Sequence, residues 1–177
     1  MVWLTGLSGA GKTTLALALR VALGNTGCPV SVIDGDVLRR GLSRDLGYGA
    51  ADRAENVRRA AEVARLMMDS GQTVIVAMMS PSRVSRARAR ALFQPGRFIE
   101  VFVDLPIIVA EALDPKGLYR SVRRGELKDV PGIDLAYEPP ELPEAHVHVL
   151  QYDVATSVDI VLAALMRAGD RGSGEDN

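Results

Sequence analysis

The chain's 177 residues suit one α/β domain with a substantial core and leave little room for a second. An apolar share of 47% with 5% aromatics excludes a disordered chain and points to Ala/Leu/Val packing. The formal charge of −1 argues against a general nucleic-acid or membrane-surface binder, and a single cysteine, Cys28, excludes a disulfide framework and a Cys-based metal site.

Val2–Thr5 is a short apolar run that leads into Gly6-Leu7-Ser8-Gly9-Ala10-Gly11-Lys12-Thr13, a complete G-x-x-x-x-G-K-[ST] phosphate loop. A helix follows from Thr14 to about Leu23 and closes on Gly24-Asn25-Thr26-Gly27. Glycines in such a loop let backbone N–H groups wrap an anion, aided by the positive end of the helix. The spacing sets residues 6–14 around the phosphates of a nucleotide, with Lys12 at the β- and γ-phosphates and the Thr13 hydroxyl on Mg²⁺. Pro29–Ile33 is the second expected strand, running into Asp34-Gly35-Asp36 and a short helix from Asp36 to Leu42. A long helix starts near Ala51-Asp52, buries Val57, Ala60, Ala61, Ala64 and Met67-Met68, and ends at Gly71. Thr73–Met78 is a continuous apolar strand stopped by Ser80-Pro81, with an Arg-rich helix from Arg83 to Phe93. Its arginines, Arg83, Arg86, Arg88 and Arg90, are expected to form a solvated face.

Phe98–Val103 is the fourth strand, ending at Asp104, and Ile107–Leu113 the next helix. Residues 114–134 are charged, Gly-punctuated and weak in core signal, which suits a mobile lid. His146–Leu150 is the last strand and Val154–Met166 a closing amphipathic helix. Neither His146 nor His148 has a nearby carboxylate or Cys pattern, so both are expected to pack or face solvent. Residues 1–168 thus make one domain, and 169–177 a Gly/Ser/acidic disordered tail. Alternating strands and helices imply right-handed crossovers in a three-layer αβα fold with a mainly parallel sheet. In such folds ligands sit beyond the carboxyl ends of the strands, where this chain places its phosphate loop, Asp34, Asp36, Ser80 and Asp104. No secretory leader or bilayer-length apolar run is legible, so the expected location is the cytoplasm.

Several blocks together resemble the adenylylsulfate kinase family of P-loop kinases. They are the phosphate loop, Asp34-Gly35-Asp36 with Arg39, Asp45–Tyr48, Asp52–Arg59, Ser80-Pro81, Asp114–Tyr119 and Gly132–Asp134. The resemblance implies transfer of the γ-phosphoryl group of ATP to the 3′-hydroxyl of adenosine 5′-phosphosulfate, with ATP and Mg²⁺ as cofactors. It implies Lys12, Asp34 and Ser80 as catalytic residues, and Thr13 with Asp36 or Asp34 at the metal. It implies an acceptor held by Asp34, Asp36, Arg39, Tyr48, Arg53, Asn56, Met78, Ser80, Pro81, Lys116, Val130 and Ile133. Arg39 and Arg53 offer planar forks suited to phosphosulfate oxygens, and an Asp at a strand end can orient a hydroxyl. The family also marks Ser80 as a phosphoserine intermediate, whereas direct in-line transfer needs no such step.

The chain departs from the family pattern at Val37, Leu113 and the two adenine-clamping positions, Met78 and Val130, where the family carries Phe. Two missing ring faces would weaken base stacking by about 1–3 kcal/mol each, so a different hydroxyl acceptor is an alternative reading. A nucleotide-gated regulatory protein is a rival from another class. Small-molecule nucleotides are the expected partners, with no nucleic acid or membrane; a homodimer is compatible with the sequence, which does not fix the assembly. On residue type alone, Asp34, Asp36 and Ser80 could also be helix caps, and Arg58 or Arg59 structural ion-pair partners.

Overall fold

The structure is a computed structural model that describes residues 1–25 and 27–172. Strand β1 (Val2–Thr5) lies at the centre of a parallel sheet because every one of its side chains is buried, two on each face. It pairs with β3 (Thr73–Ala77) on one side and β4 (Ile99–Asp104) on the other. Strand β2 (Val30–Asp34) flanks β3, and β5 (Ala145–His148) flanks β4, so the order among the described residues is β2-β3-β1-β4-β5. All pairings are parallel, as continuous apolar runs joined by helices require.

Side-chain alternation divides the core in two. Val2, Leu4, Ile75, Val101 and Val147 point to the face covered by α1 (Lys12–Gly24) and α7 (Val154–Gly172). Trp3, Val74, Val76 and Met78 point to the other, under α3 (Ala50–Asp69) and α4 (Arg83–Arg90), where Trp3 stacks on Phe98 at 5.5 Å between ring centroids. Two short helices, α2 (Gly35–Arg40) and α5 (Ile107–Leu113), follow β2 and β4 directly.

Several expectations change; the last strand, for one, is Ala145–His148, and the Arg-rich helix ends at Arg90. The closing helix runs to Gly172 rather than Met166, so residues 169–172 are helical; 173–177 of the expected tail lie outside the described residues. The stretch 114–134 is not poor in core anchors: it contains α6 (Leu118–Arg123), and Tyr119 and Val130 are both fully buried. Its anchors are spaced too far apart to register as a periodic pattern. Arg86 is buried, unlike the solvated arginine run that composition suggests. No described helix is long and apolar enough to cross a membrane.

Candidate active site

The phosphate loop leaves β1 at Gly6, whose φ of 152° puts an imagined Cβ 2.3 Å from the Val103 carbonyl oxygen. Strand β4 runs so close beneath the loop that only a residue without a side chain passes. The loop then turns at Gly9 and Gly11 into α1, and the amides at its N-terminus are what an anion meets. Lys12 Nζ donates to the carbonyls of Gly6 and Leu7 at 2.8 and 2.7 Å, folding back across its own loop. Burial and the nearby Lys116 push its ammonium down to about 7, with Asp36 and Asp34 partly offsetting them. A bound phosphate would supply the missing counter-charge.

Asp34 ends β2 and caps α2. Its Oδ1 accepts from the amides of Asp36 and Val37, and its Oδ2 accepts from Thr13 Oγ1 at 2.7 Å. The capping alternative is therefore met, and by the same carboxylate that faces the loop. Of the two carboxylates expected near Thr13, the one beside it is Asp34, while Asp36 is exposed and ion-paired with Lys116. The cause is position, since Asp34 is the last strand residue and Asp36 already lies on the outward turn of α2.

Across from the loop, α2 and α3 present cations and an amide. Arg39 lies over the Tyr48 ring at 4.5 Å and donates to Gly47 O; Arg53 approaches the same ring at 5.5 Å and donates to Asp129 O. Burial, with Arg39 close by, pushes the Arg53 guanidinium below its usual value. Among the described residues, Arg53 Nε and Asn56 Oδ1 are buried without a hydrogen-bond partner. Paired polar groups are the rule in protein interiors, so two unpaired ones on one helix point to a polar ligand. By contrast Arg58 pairs with Glu55, and Arg59 holds Asp45 through two bonds of 2.6 and 2.8 Å; these two arginines are structural.

The 114–134 segment closes the third side. Asp114 is buried and accepts from the amides of Tyr119 and Arg120, which fixes the start of α6. Burial works against its charge, but those amides hold its carboxyl below the usual range. Tyr119 then donates its hydroxyl to the Ser8 carbonyl at 3.1 Å, tying this segment to the phosphate loop; burial pushes that phenol up to about 12. Asp134 accepts from the amides of Asp129 and Val130, and so sets the turn that carries Val130 inward.

These elements enclose a cavity of about 490 Å³. Of the expected site residues, Ser8, Gly9, Gly11, Lys12, Thr13, Thr14, Asp34, Asp36, Arg39, Tyr48, Arg53, Asn56, Met78, Ser80, Pro81, Lys116 and Val130 line it. Gly6, Leu7 and Ala10 of the loop lie outside that lining. Ile133 is corrected: it packs against the core on the far side of the loop, beside Leu7, because Gly132 reverses the chain there with φ 95°. Ser80 borders the cavity but its Oγ points into the protein. It accepts from Trp3 Nε1 at 3.1 Å and donates to Thr5 Oγ1 at 2.9 Å. That inward rotation argues against the expected catalytic role for its hydroxyl. The helix-cap alternative belongs instead to Ser82, whose Oγ accepts from the Ser85 amide.

The sequence reading missed Met79, Leu127 and Lys128 of the lining, and Thr5, Tyr137 and Arg86 behind it. Thr5 Oγ1 donates to Met79 O and hydrogen-bonds the Tyr137 hydroxyl at 2.9 Å; Arg86 donates to Ser80 O at 2.7 Å. Together they hold Ser80 in a left-handed conformation, φ 38°, that a non-glycine residue adopts only under restraint.

A nucleotide-phosphate cradle facing an Arg/Arg/Asn wall is the arrangement the sequence blocks imply. The model of the Adenylylsulphate kinase family matches residues 1–148. The chain belongs to the adenylylsulphate kinase family. Adenylyl-sulfate kinases of Burkholderia ambifaria and Citrobacter koseri are 51% and 50% identical to it, over 98% and 96% of this chain and 96% and 84% of theirs. Among solved structures, the Mycobacterium tuberculosis APS kinase CysC in complex with AMPPNP and APS superposes with a TM-score of 0.88 at 40% identity. That match covers 93% of this chain and 96% of the other. As a member of the adenylylsulphate kinase family the chain is a P-loop nucleotide-binding phosphotransferase acting on a hydroxyl group.

Proposed function

We propose that the chain transfers the γ-phosphoryl group of ATP to the 3′-hydroxyl of adenosine 5′-phosphosulfate, giving 3′-phosphoadenylyl sulfate. The observation that carries this reading is one continuous cavity, with the phosphate loop on one wall and Arg39, Arg53 and the unpaired Asn56 Oδ1 on the other. Near-full-length likeness to adenylyl-sulfate kinases supports the acceptor. A cytoplasmic setting, where ATP is plentiful, fits the same reading.

Phosphoryl transfer through a loose transition state asks for alignment and charge neutralisation rather than covalent help. Lys12 would leave the Gly6 and Leu7 carbonyls for the β- and γ-phosphates, exchanging neutral acceptors for charged ones. The Thr13 hydroxyl and Asp34 carboxylate form an all-oxygen pair suited to a hard cation, so these two residues would hold Mg²⁺. When bound, Mg²⁺ neutralises charge on the phosphate oxygens. Because the oxygens of Asp34 already accept two amides and the Thr13 hydroxyl, we assign it to orienting the metal side. Asp36 lines the cavity, exposed, and is the carboxylate placed to orient the acceptor hydroxyl once Lys116 turns to the nucleotide. Arg39, Arg53 and Asn56 would fix the phosphosulfate end, and Met78 and Val130 would pack on the base.

The test is a timed assay with ATP, Mg²⁺ and adenosine 5′-phosphosulfate, with product identified by mass. The expected result is stoichiometric ADP and 3′-phosphoadenylyl sulfate, with cytidine and other plain nucleosides turned over at least a hundredfold more slowly. Turnover of the sulfate nucleotide no better than that of a nucleoside would reject this acceptor. ATP consumption indifferent to every acceptor would favour a regulatory NTPase instead.

A further inference from the structure

The chain's two histidines lie on β5 with one residue between them, and therefore on one face of the sheet. Parallel pairing sets Phe102 opposite His146 and Asp104 opposite His148, which brings the last residue of β4 to the same face. His146 Nε2 lies 3.0 Å from Asp104 Oδ2, and His148 Nδ1 lies 3.5 Å from that same oxygen. The two imidazole centroids are 3.9 Å apart. One potential ligand atom from each residue can be chosen so that all lie within 4.8 Å of one another.

Tetrahedral Zn²⁺, with bonds of about 2.0–2.1 Å to nitrogen and oxygen, separates neighbouring ligand atoms by about 3.3 Å. The two donor separations, 3.0 and 3.5 Å, bracket that edge. The ligands are also held in place. His146 packs against Phe102 at 4.9 Å between centroids, Phe102 stacks on Tyr137, and His148 faces Tyr152. Each of the three side chains keeps between a third and two-fifths of its surface in solvent, enough for an ion to enter and for water to fill a fourth position. Two imidazoles and a carboxylate suit a borderline transition metal, whereas the all-oxygen pair Thr13 and Asp34 suits a hard ion. The two donor sets lie on opposite flanks of the sheet: Asp34 ends β2, and β3 and β1 intervene before β4.

From this geometry we propose that Asp104, His146 and His148 bind one Zn²⁺ or a similar first-row divalent ion. The ion clamps the edge strand β5 to β4, whose other side carries the strand that feeds the phosphate loop.

The experiment uses untagged, chelator-treated full chain with the exposed Cys28 replaced (Cys28→Ser), to remove the competing thiol. Zn²⁺ is titrated against a chromophoric chelator, and Co²⁺ is added separately to record its visible absorption. One equivalent of Zn²⁺ is expected, with intense four-coordinate Co²⁺ bands that Zn²⁺ displaces. His146→Ala, His148→Ala and Asp104→Asn should each weaken Zn²⁺ binding at least tenfold while circular dichroism and ATP binding stay unchanged. Absence of Zn²⁺ binding by the Cys28→Ser protein would overturn the proposal and leave a hydrogen-bonded trio. So would one equivalent bound undiminished by the double variant His146→Ala/His148→Ala. The Co²⁺ spectrum of the unsubstituted trio decides the matter should any variant fail to fold.

Discussion

Replacing Arg86 with Ala should lower the free energy of unfolding by about 3–5 kcal/mol, the range for a buried charge pair that loses one member. The side chain is 3% exposed and donates to Glu100 Oε1 at 2.6 Å, to Ser80 O at 2.7 Å and to Glu138 O at 2.7 Å. Its removal leaves two carbonyls and part of a 12%-exposed carboxylate without their donor, and Arg90 at 3.3 Å recovers Glu100 only in part. In a chain of this size the melting temperature should fall by roughly 10 °C. Arg88→Ala, on the same helix but exposed, should stay within about 0.5 kcal/mol. Denaturant unfolding of both variants checks this; a loss below 1 kcal/mol for Arg86→Ala would remove the guanidinium from the list of structural supports. Arg86→Lys keeps a charge but loses the planar fork, and should fall between the two.

Replacing Lys12 with Ala should have the largest effect on turnover. Donors aimed at developing charge in a water-poor site are worth about 10²–10³-fold each, and in the proposed mechanism Lys12 would serve both the β- and γ-phosphates, so kcat should drop about 10³-fold or more. Stability should change little. In the free protein the ammonium is half-buried, pushed down to about 7 and satisfied by two carbonyls of its own loop, so its deletion also removes a desolvation cost. Steady-state assays alongside thermal unfolding separate the two. A variant retaining a tenth of the activity would take Lys12 out of the phosphoryl-transfer step.

These two lysine and arginine positions mark the boundary of what the sequence can tell. Lys12 is legible because its role is local: glycine spacing, a preceding strand and a following helix specify the cradle within about twenty residues. The strands were equally legible, since apolar runs bounded by turn residues need no knowledge of their partners. Arg86 was not. Arg83, Arg86 and Arg90 recur at i, i+3, i+7, the spacing of a buried stripe, while Arg88 lies across the helix. The signal was therefore present, but it takes its meaning from Glu100, Glu138, Glu141 and Glu144, which reach α4 from β4 and from the Pro-rich segment before β5. Strand register hid Asp104 from the histidines in the same way. Pairing of β4 with β5 is set by contacts some forty residues apart, and no local pattern encodes it. Asp34 and Asp36 show a finer limit: residue type identified two carboxylates, but only the cap geometry of α2 decided which one meets Thr13.

The inward turn of Ser80 has a consequence for stereochemistry. Its hydroxyl sits between an indole N–H and the Thr5 hydroxyl, both carried by a strand that is completely buried. A covalent relay through that oxygen would move the phosphoryl group twice and return the phosphorus to its starting handedness. Direct transfer, in which the group travels once from one oxygen to the opposite one, would invert that configuration, so the handedness of a chiral thiophosphoryl product tells the two routes apart.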